Sequence, residues 1–399
     1  MSQVTAPRIV VVGGCGHVGL PLALAFARAG QPTASFDINT DAVDRVNRGE
    51  MPFDEPEAPA ILEKVLADGT FVASSDPSLI RSAEIVVVVI GTPVDEHLNP
   101  DAHAVPDAVS SLSEYLRTDQ LLVLRSTVYP GVTRLVEDRL RSLGLDMDVA
   151  FCPERIAEGK AFTELYSLPQ IVSGRRTSAV ERASELFSLL ASSIIEASPE
   201  EAELAKLFTN TWRYIKFAAA NQFYMIANSH GIDFERVRTA ITSDYPRAQD
   251  MPGAGFAAGP CLFKDTMQLA AFNNNAFFLG HAAMMVNEGL PMYLVERMDD
   301  LYGLRDKTVG ILGMAFKGES DDTRSSLSYK LKRILRFRAK TVLCTDPYVT
   351  SDDSLSSLDE VLNQSDVLVI GAPHKIYSEI NTDIEVVDVW NLLGNGTLL

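Results

Sequence analysis

The chain has 399 residues, 46% of them hydrophobic and 22% charged, with a formal net charge of −18. That length exceeds what one core usually organises, so two or three domains are expected, in a composition typical of soluble globular proteins. The acidic balance argues against a nucleic-acid partner, and no apolar run reaches the roughly 18 residues a membrane span needs. No basic-then-apolar leader precedes the first strand, so a secretory signal is not expected. Cys15, Cys152, Cys261 and Cys344 lie far apart, with no CxxC and no Cys/His cluster. Their spacing argues against disulfides and against a bound metal, and fits a reducing cytoplasm.

From Arg8 to about Ile195, short β-branched runs alternate with helical patterns: RIVVVGG, PTASFDI, EIVVVVIGT, QLLVLRS, DVAFCP, QIVSG and SIIEA. Such alternation predicts a mostly parallel sheet with helices on both faces. Ser198-Pro-Glu-Glu then supplies an N-cap and an acidic first turn for a helix able to run to His230-Gly231. The chain stays largely helical to about Leu301, after which KTVGILGMAF, KTVLCTD, SDVLVIGA and EVVDVW restart the α/β alternation. Three regions follow, at 1–197, 198–301 and 302–399.

Gly14-Cys15-Gly16-His17-Val18-Gly19 follows the first predicted strand and opens an apolar helix from Leu20 to Ala29. Glycines at these positions permit a tight turn, a close approach to a pyrophosphate and close helix–sheet packing. The helix N-terminus offers unpaired N–H groups to the phosphates. Asp37, 23 residues beyond Gly14 at the end of the next strand, suits ribose hydroxyls and repels a 2′-phosphate, which favours NAD over NADP. Gly91-Thr92-Pro93 and Ser126-Thr127-Val128 fall after strands, at the edge where open α/β sheets bind ligands. Taken alone, Thr127 fits a helix cap as well as a catalytic group.

Three later segments carry groups suited to acyl chemistry. Glu154 and Glu158, in CPERIAEG, are four residues apart and would share a face if helical. Lys206 and Asn210 repeat that spacing in the long helix, where Lys206 could also pair with Glu203 or one of the other glutamates. Cys261 follows the glycine-rich stretch GAGFAAGP and precedes Lys264 and Asp265. A lone cysteine is often an inert small hydrophobe. A helix starting here would instead favour thiolate, with Lys264 adding to the effect and Asp265 available to move a proton.

The segments GCGHVGLPLA, GTPVD, RSTVYPGVT, CPERIAEG, AELAKLFTNTW, GFAAGPCLFKD, GMAFKGESDDTRSS and TDPY, in this order, resemble the UDP-glucose/GDP-mannose dehydrogenase family over nearly the whole chain. The resemblance implies two Rossmann-like, doubly wound parallel-sheet domains joined by a long central helix that also builds a homodimer. It implies NAD in the first domain, held through Gly14, Gly16, His17, Val18, Gly19, Asp37, Thr92, Pro93 and Thr127, and a nucleotide sugar in the last. Cys261 matches the nucleophile and Lys206 the group that stabilises the oxyanion. Asn210 and Asp265 match residues that orient substrate and water. Thr127, Glu154 and Glu158 match the polar set around the reacting carbon. Gly255 and Phe256 fall in the substrate loop, and Lys317 and Arg324 where bound nucleotides are contacted, Arg324 on the cofactor's side.

The chain departs from the family pattern in places. Cys152 stands where an asparagine is usual, PERIAEG replaces PEFLREG, GFAAGPCLFKD replaces GFGGSCLPKD, and Trp390 occupies a common arginine position. The PER form points toward members acting on N-acetylated sugars. The implied reaction is a four-electron oxidation of a primary alcohol to a carboxylate through a cysteine thiohemiacetal and thioester. Two rivals stand beside it: a two-electron β-hydroxyacid dehydrogenase, which needs neither Cys261 nor the third region, and a non-catalytic nucleotide-sugar or NAD sensor.

Overall fold

The computed structural model describes residues 6–92 and 101–399. The chain divides into two compact units, Met1–Phe208 and Thr209–Leu399.

The first unit is built on eight strands: β1 (Ile9–Val12), β2 (Thr33–Phe36), β3 (Phe71–Ser74), β4 (Ile85–Val88), β5 (Leu121–Leu124), β6 (Asp148–Phe151), β7 (Gln170–Gly174) and β8 (Ile194–Ala197). They lie in the order β3-β2-β1-β4-β5-β6-β7-β8. Every neighbouring pair is parallel except β6 and β7, where Phe151 faces Ser173 in antiparallel register. Because side chains alternate across a strand, each central strand feeds two cores. Ile9, Val11, Val87 and Val123 enter one cluster with the Gly19–Arg28 helix. Val10, Val12, Val86, Val88, Leu122 and Leu124 enter the other. The near-continuous apolar runs of the sequence are this double burial. β3, which the strand pattern did not single out, is a short edge strand with an alternating FVAS pattern.

The long helix spans Pro199–Ser229, 31 residues or about 46 Å. Ser198 and Glu201 form a reciprocal cap at its start: the Ser198 amide donates to Glu201 Oε2 (2.8 Å) and the Glu201 amide to Ser198 Oγ (3.4 Å).

The second unit holds the helices Leu262–Phe272 and Phe278–Tyr302 and a smaller sheet. That sheet contains β9 (Thr308–Leu312), β10 (Thr341–Thr345), β11 (Val367–Ile370) and β12 (Glu385–Val387), all parallel, in the order β10-β9-β11-β12. No helix among the described residues is long and apolar enough to cross a membrane.

Candidate active site

In the first unit, the turn after β1 is shaped by close packing. A Cβ on Gly14 would sit 2.5 Å from the Val11 carbonyl oxygen and one on Gly19 2.2 Å from that of Gly13, whereas at Gly16 the nearest atom is 3.6 Å away. The outer two glycines are thus required by packing, and the middle one leaves a face open. Val18 precedes the Gly19–Arg28 helix without capping it through a side chain; the Leu20 amide donates to the Gly16 carbonyl (2.9 Å) and Pro21 has no N–H, so the helix end offers an anion its dipole and the turn before it. At the end of β2, half-buried Asp37 accepts from the Cys15 amide on Oδ2 and from the Asn39 amide on Oδ1, each at 3.0 Å. An open helix N-terminus, an approachable glycine and a strand-end carboxylate fit an NAD cofactor.

His17 stacks on Phe53 with ring centroids 4.2 Å apart, and its Nε2 lies 3.9 Å from Glu158 Oε1. Thr92 donates from Oγ1 to the Thr127 carbonyl (2.7 Å), and Ser126 Oγ accepts from the Ile90 amide (2.8 Å), so side chains tie the two strand-end loops together. Pro93 lies outside the described residues.

Glu154 and Glu158 do not share a helix face, because residues 152–160 form a loop. Glu154 itself prevents the helix: its Oε1 accepts from the amides of Arg155 (2.7 Å) and Ile156 (2.9 Å). Its Oε2 accepts from Nε of Arg125 at 2.8 Å and from Nη2 of the same residue. The Arg125 side chain is wholly buried, also donates to the Cys152 carbonyl and Gln170, and lies over the Phe187 ring. With both oxygens engaged, Glu154 is equipped to shape the loop and is poorly disposed to act as a base. The amides of Gly159 and Ala161 donate to Glu55, at 2.8 and 2.9 Å, and that of Ala157 to Glu164 at 2.6 Å. Buried Glu55 and half-buried Glu164 therefore hold the loop that presents Glu158.

Glu203 is 1% exposed and accepts from the Gly131 amide (2.7 Å), the Thr133 amide (2.8 Å) and the Thr133 hydroxyl (2.6 Å). It caps the Val132–Ser142 helix just beyond Thr127, while Lys206 lies buried one turn further along the long helix. Arg125, Glu55 and Glu203 are functional supports that sequence reasoning missed. Each acts on residues 27 to 106 positions away, and a buried charge without a sequence-local partner is not visible in a linear pattern.

In the second unit, Cys261 is the N-cap residue of the Leu262–Phe272 helix, at the end where the helix dipole favours negative charge, although its side chain makes no capping hydrogen bond. It is exposed, whereas Cys15, Cys152 and Cys344 are buried. Burial, with Asp37 adding for Cys15, pushes the thiols of Cys15 and Cys152 up to about 12, and that of Cys344 to about 11. Asp265 is fully buried and accepts from Asn210 Nδ2 on Oδ2 at 2.6 Å. Its Oδ1 lies 3.6 Å from Lys264 Nζ, and no hydrogen-bond donor among the described residues reaches it. A fixed carboxylate with one such oxygen, a turn from a cysteine at the helix N-terminus, is equipped to take a proton from water.

The Cys261 loop is held at two glycines. At Gly255, where a Cβ would fall 2.3 Å from the Trp390 ring, the amide donates to Asn221 Oδ1 (2.9 Å) and the carbonyl accepts from Asn221 Nδ2 (3.0 Å). Phe256 packs edge-on against Trp390. At the end of β9, Lys317 lies over the Phe316 ring, and Arg324 is bound through its amide, Nε and Nη2 to Asp322. Among the sequence candidates the structure therefore pairs Asn210 with Asp265 and His17 with Glu158. Thr127, Glu154 and Lys206 belong to the first unit; Asn210, Cys261, Asp265, Lys317 and Arg324 belong to the second.

Three segments match domains of the UDP-glucose/GDP-mannose dehydrogenase family: the NAD binding domain over residues 7–191, the central domain over 200–288 and the UDP binding domain over 310–395. A UDP-N-acetyl-D-mannosamine dehydrogenase of Pyrococcus horikoshii is 30% identical over 387 residues, covering 94% of this chain and 91% of that protein. The solved structure of the UDP-D-ManNAc dehydrogenase from Pyrococcus horikoshii superposes with a TM-score of 0.87 at 28% identity over 96% of each chain. A UDP-glucose dehydrogenase from Pyrobaculum islandicum gives 0.89 at 26% identity, over 97% of this chain and 95% of that one.

Proposed function

Because the chain belongs to the UDP-glucose/GDP-mannose dehydrogenase family, and is thus an NAD-dependent nucleotide-sugar dehydrogenase, we propose that it oxidises C6 of a UDP-N-acetylhexosamine, with UDP-N-acetylmannosamine first among the candidates. The names of its relatives and the PER form of the Glu154 loop support that choice of sugar. The observation that carries the chemistry is an exposed Cys261 at the N-terminus of a helix, one turn before Asp265, which Asn210 holds.

Two NAD molecules, bound in turn at the β1 turn, would each take up one hydride of the four-electron change. Removal of the C6 hydride, with the hydroxyl proton passing to water, leaves an aldehyde. Cys261 thiolate adds to its carbon, giving a thiohemiacetal oxyanion that Lys206 and Asn210 stabilise. Loss of the second hydride leaves a thioester. Water adds to the thioester carbonyl, Asp265 takes the proton, the thiol departs and the carboxylate is released. Thr127 and the loop bearing Glu158 position the water and the reacting carbon.

The three regions 1–197, 198–301 and 302–399 serve as the NAD-binding, helical and nucleotide-sugar-binding parts. The enzyme works as a homodimer in the cytoplasm. Exposed Phe208, Trp212, Phe223 and Ile226 on the long helix support the dimer, and four free cysteines support a reducing compartment.

NADH release measured against UDP-N-acetylmannosamine, UDP-N-acetylglucosamine, UDP-glucose and GDP-mannose tests the reading. Two NADH per sugar are expected with the first. One NADH would indicate a two-electron dehydrogenase, and none with any sugar would favour a sensor. Cys261→Ala should lower sugar-acid production by roughly a thousandfold or more. Near-normal acid from that variant would remove the thioester from the mechanism.

A further inference from the structure

The stretch leading to Cys261 is fixed very differently at two of its glycines, Gly255 and Gly259. Asn221, which grips Gly255, donates to Asn287 Oδ1 (3.0 Å), and Asn287 Nδ2 donates to the Tyr214 carbonyl (3.1 Å). Both asparagines are fully buried, so Gly255 is anchored to two long helices. Gly259, two residues before the nucleophile, is held by the loop after β9. Its φ is 98°, a Cβ there would lie 2.7 Å from Cδ2 of Phe316, and its amide donates to the Ser325 carbonyl over 3.4 Å.

That loop closes on itself. The Phe316 amide donates to the Asp322 carbonyl (2.9 Å), and Ser326 Oγ donates to the Ala315 carbonyl (3.1 Å). The two residues that touch Gly259 are each the chain neighbour of a cation: Phe316 precedes Lys317 and Ser325 follows Arg324. A diphosphate drawn to Lys317 bears directly on its neighbour Phe316, and the long Gly259–Ser325 bond has room to shorten.

We propose that Phe316 is a positioning residue that couples occupation of the Lys317 loop by a nucleotide diphosphate to the placement of Cys261. The coupling rests on the nucleotide-sugar reading above. Binding free energy released far from the reacting carbon thereby orients the nucleophile, which sharpens the chemistry only when the correct ligand is present.

The test uses the whole protein and UDP alone, with neither sugar nor NAD. Alkylation of Cys261 by iodoacetamide is followed by mass spectrometry, the three buried cysteines serving as slow internal references. Saturating UDP should speed alkylation of the wild type about fivefold or more. Phe316→Leu should bind UDP with similar affinity by calorimetry yet lose the acceleration, and Phe316→Tyr, which keeps the ring against Gly259, should restore it. A Leu variant that responds like the wild type overturns the coupling. So does a wild type that binds UDP with no change, or with slower alkylation. Failure of the wild type to bind UDP at all overturns the nucleotide reading together with it.

Discussion

The two sheets carry an aspartate at the same place, the end of the strand next to the first, and use it in opposite ways. Asp37 is half-buried and receives the amides of Cys15 and Asn39. Asp346 is sealed, its side chain 0% exposed, and accepts from the amides of Met314, Ala315, Tyr348 and Val349 and from His374. His374 takes the Glu319 amide on Nδ1, so its Nε2 carries the hydrogen given to Asp346. The following helices differ in the same sense. The Gly19–Arg28 helix has no side-chain cap, whereas Ser326 caps the Leu327–Leu335 helix through the Ser328 amide. A strand-end turn binds ligand only where its donors and acceptors are left for one. The second sheet consumes them internally and presents Lys317 and Arg324 in a longer loop instead.

The most severe way to break this comparison is to remove the sealed aspartate. Asp346→Ala strands several buried donors and should cost roughly 3–5 kcal/mol of unfolding free energy, measured by denaturant titration, with NAD binding by the folded protein little changed. A variant as stable as the wild type would refute the knot. Burial alone would raise the Asp346 carboxyl, but the His374 hydrogen bond and the backbone amides outweigh it and hold it below its ordinary value. The stability it confers is therefore present above the ordinary carboxylate range and is lost as pH falls through the depressed value. Asp346→Asn should flatten that acid limb in a pH series of unfolding curves.

Removing the open aspartate should act on ligand and not on fold. Asp37→Ala should weaken NAD binding about ten- to a hundredfold and narrow the preference over NADP, with an unchanged melting temperature. Equal wild-type activity with both cofactors would contradict its role at the ribose. The mildest effect belongs to the second sheet's loop. Lys317→Ala should raise KM about tenfold and lower kcat much less, and a steady-state comparison showing the reverse would move Lys317 into the reacting centre.

The contrast also explains what the sequence disclosed. The glycine turn, Asp37, the long helix with its Ser198–Glu201 cap, and Cys261 before Asp265 are local patterns whose meaning lies within a few residues or one βαβ unit. All four strands of the second sheet were legible as apolar runs for the same reason. The reversal between β6 and β7 was not, because an apolar run carries no direction. Helical spacing misrepresented Glu154, whose carboxylate bonds its own following amides and turns the chain into a loop. The braces supplied by Glu55, Arg125 and Glu203 were hidden because their partners are remote in sequence. Asp346, visible only as part of TDPY, gave no sign of being sealed.

The long helix also limits how the gene can change. Lys206 and Asn210 sit one turn apart on a continuous rod, where each residue advances the side-chain direction by about 100°. A single codon gained or lost between them would turn one side chain away from the other's face, although no contact residue had been replaced. A substitution replaces one side chain and leaves the others in phase; a frame-preserving insertion or deletion in this interval does not. Variation in chain length among descendants of this sequence should therefore collect in surface turns and leave the four-residue interval intact.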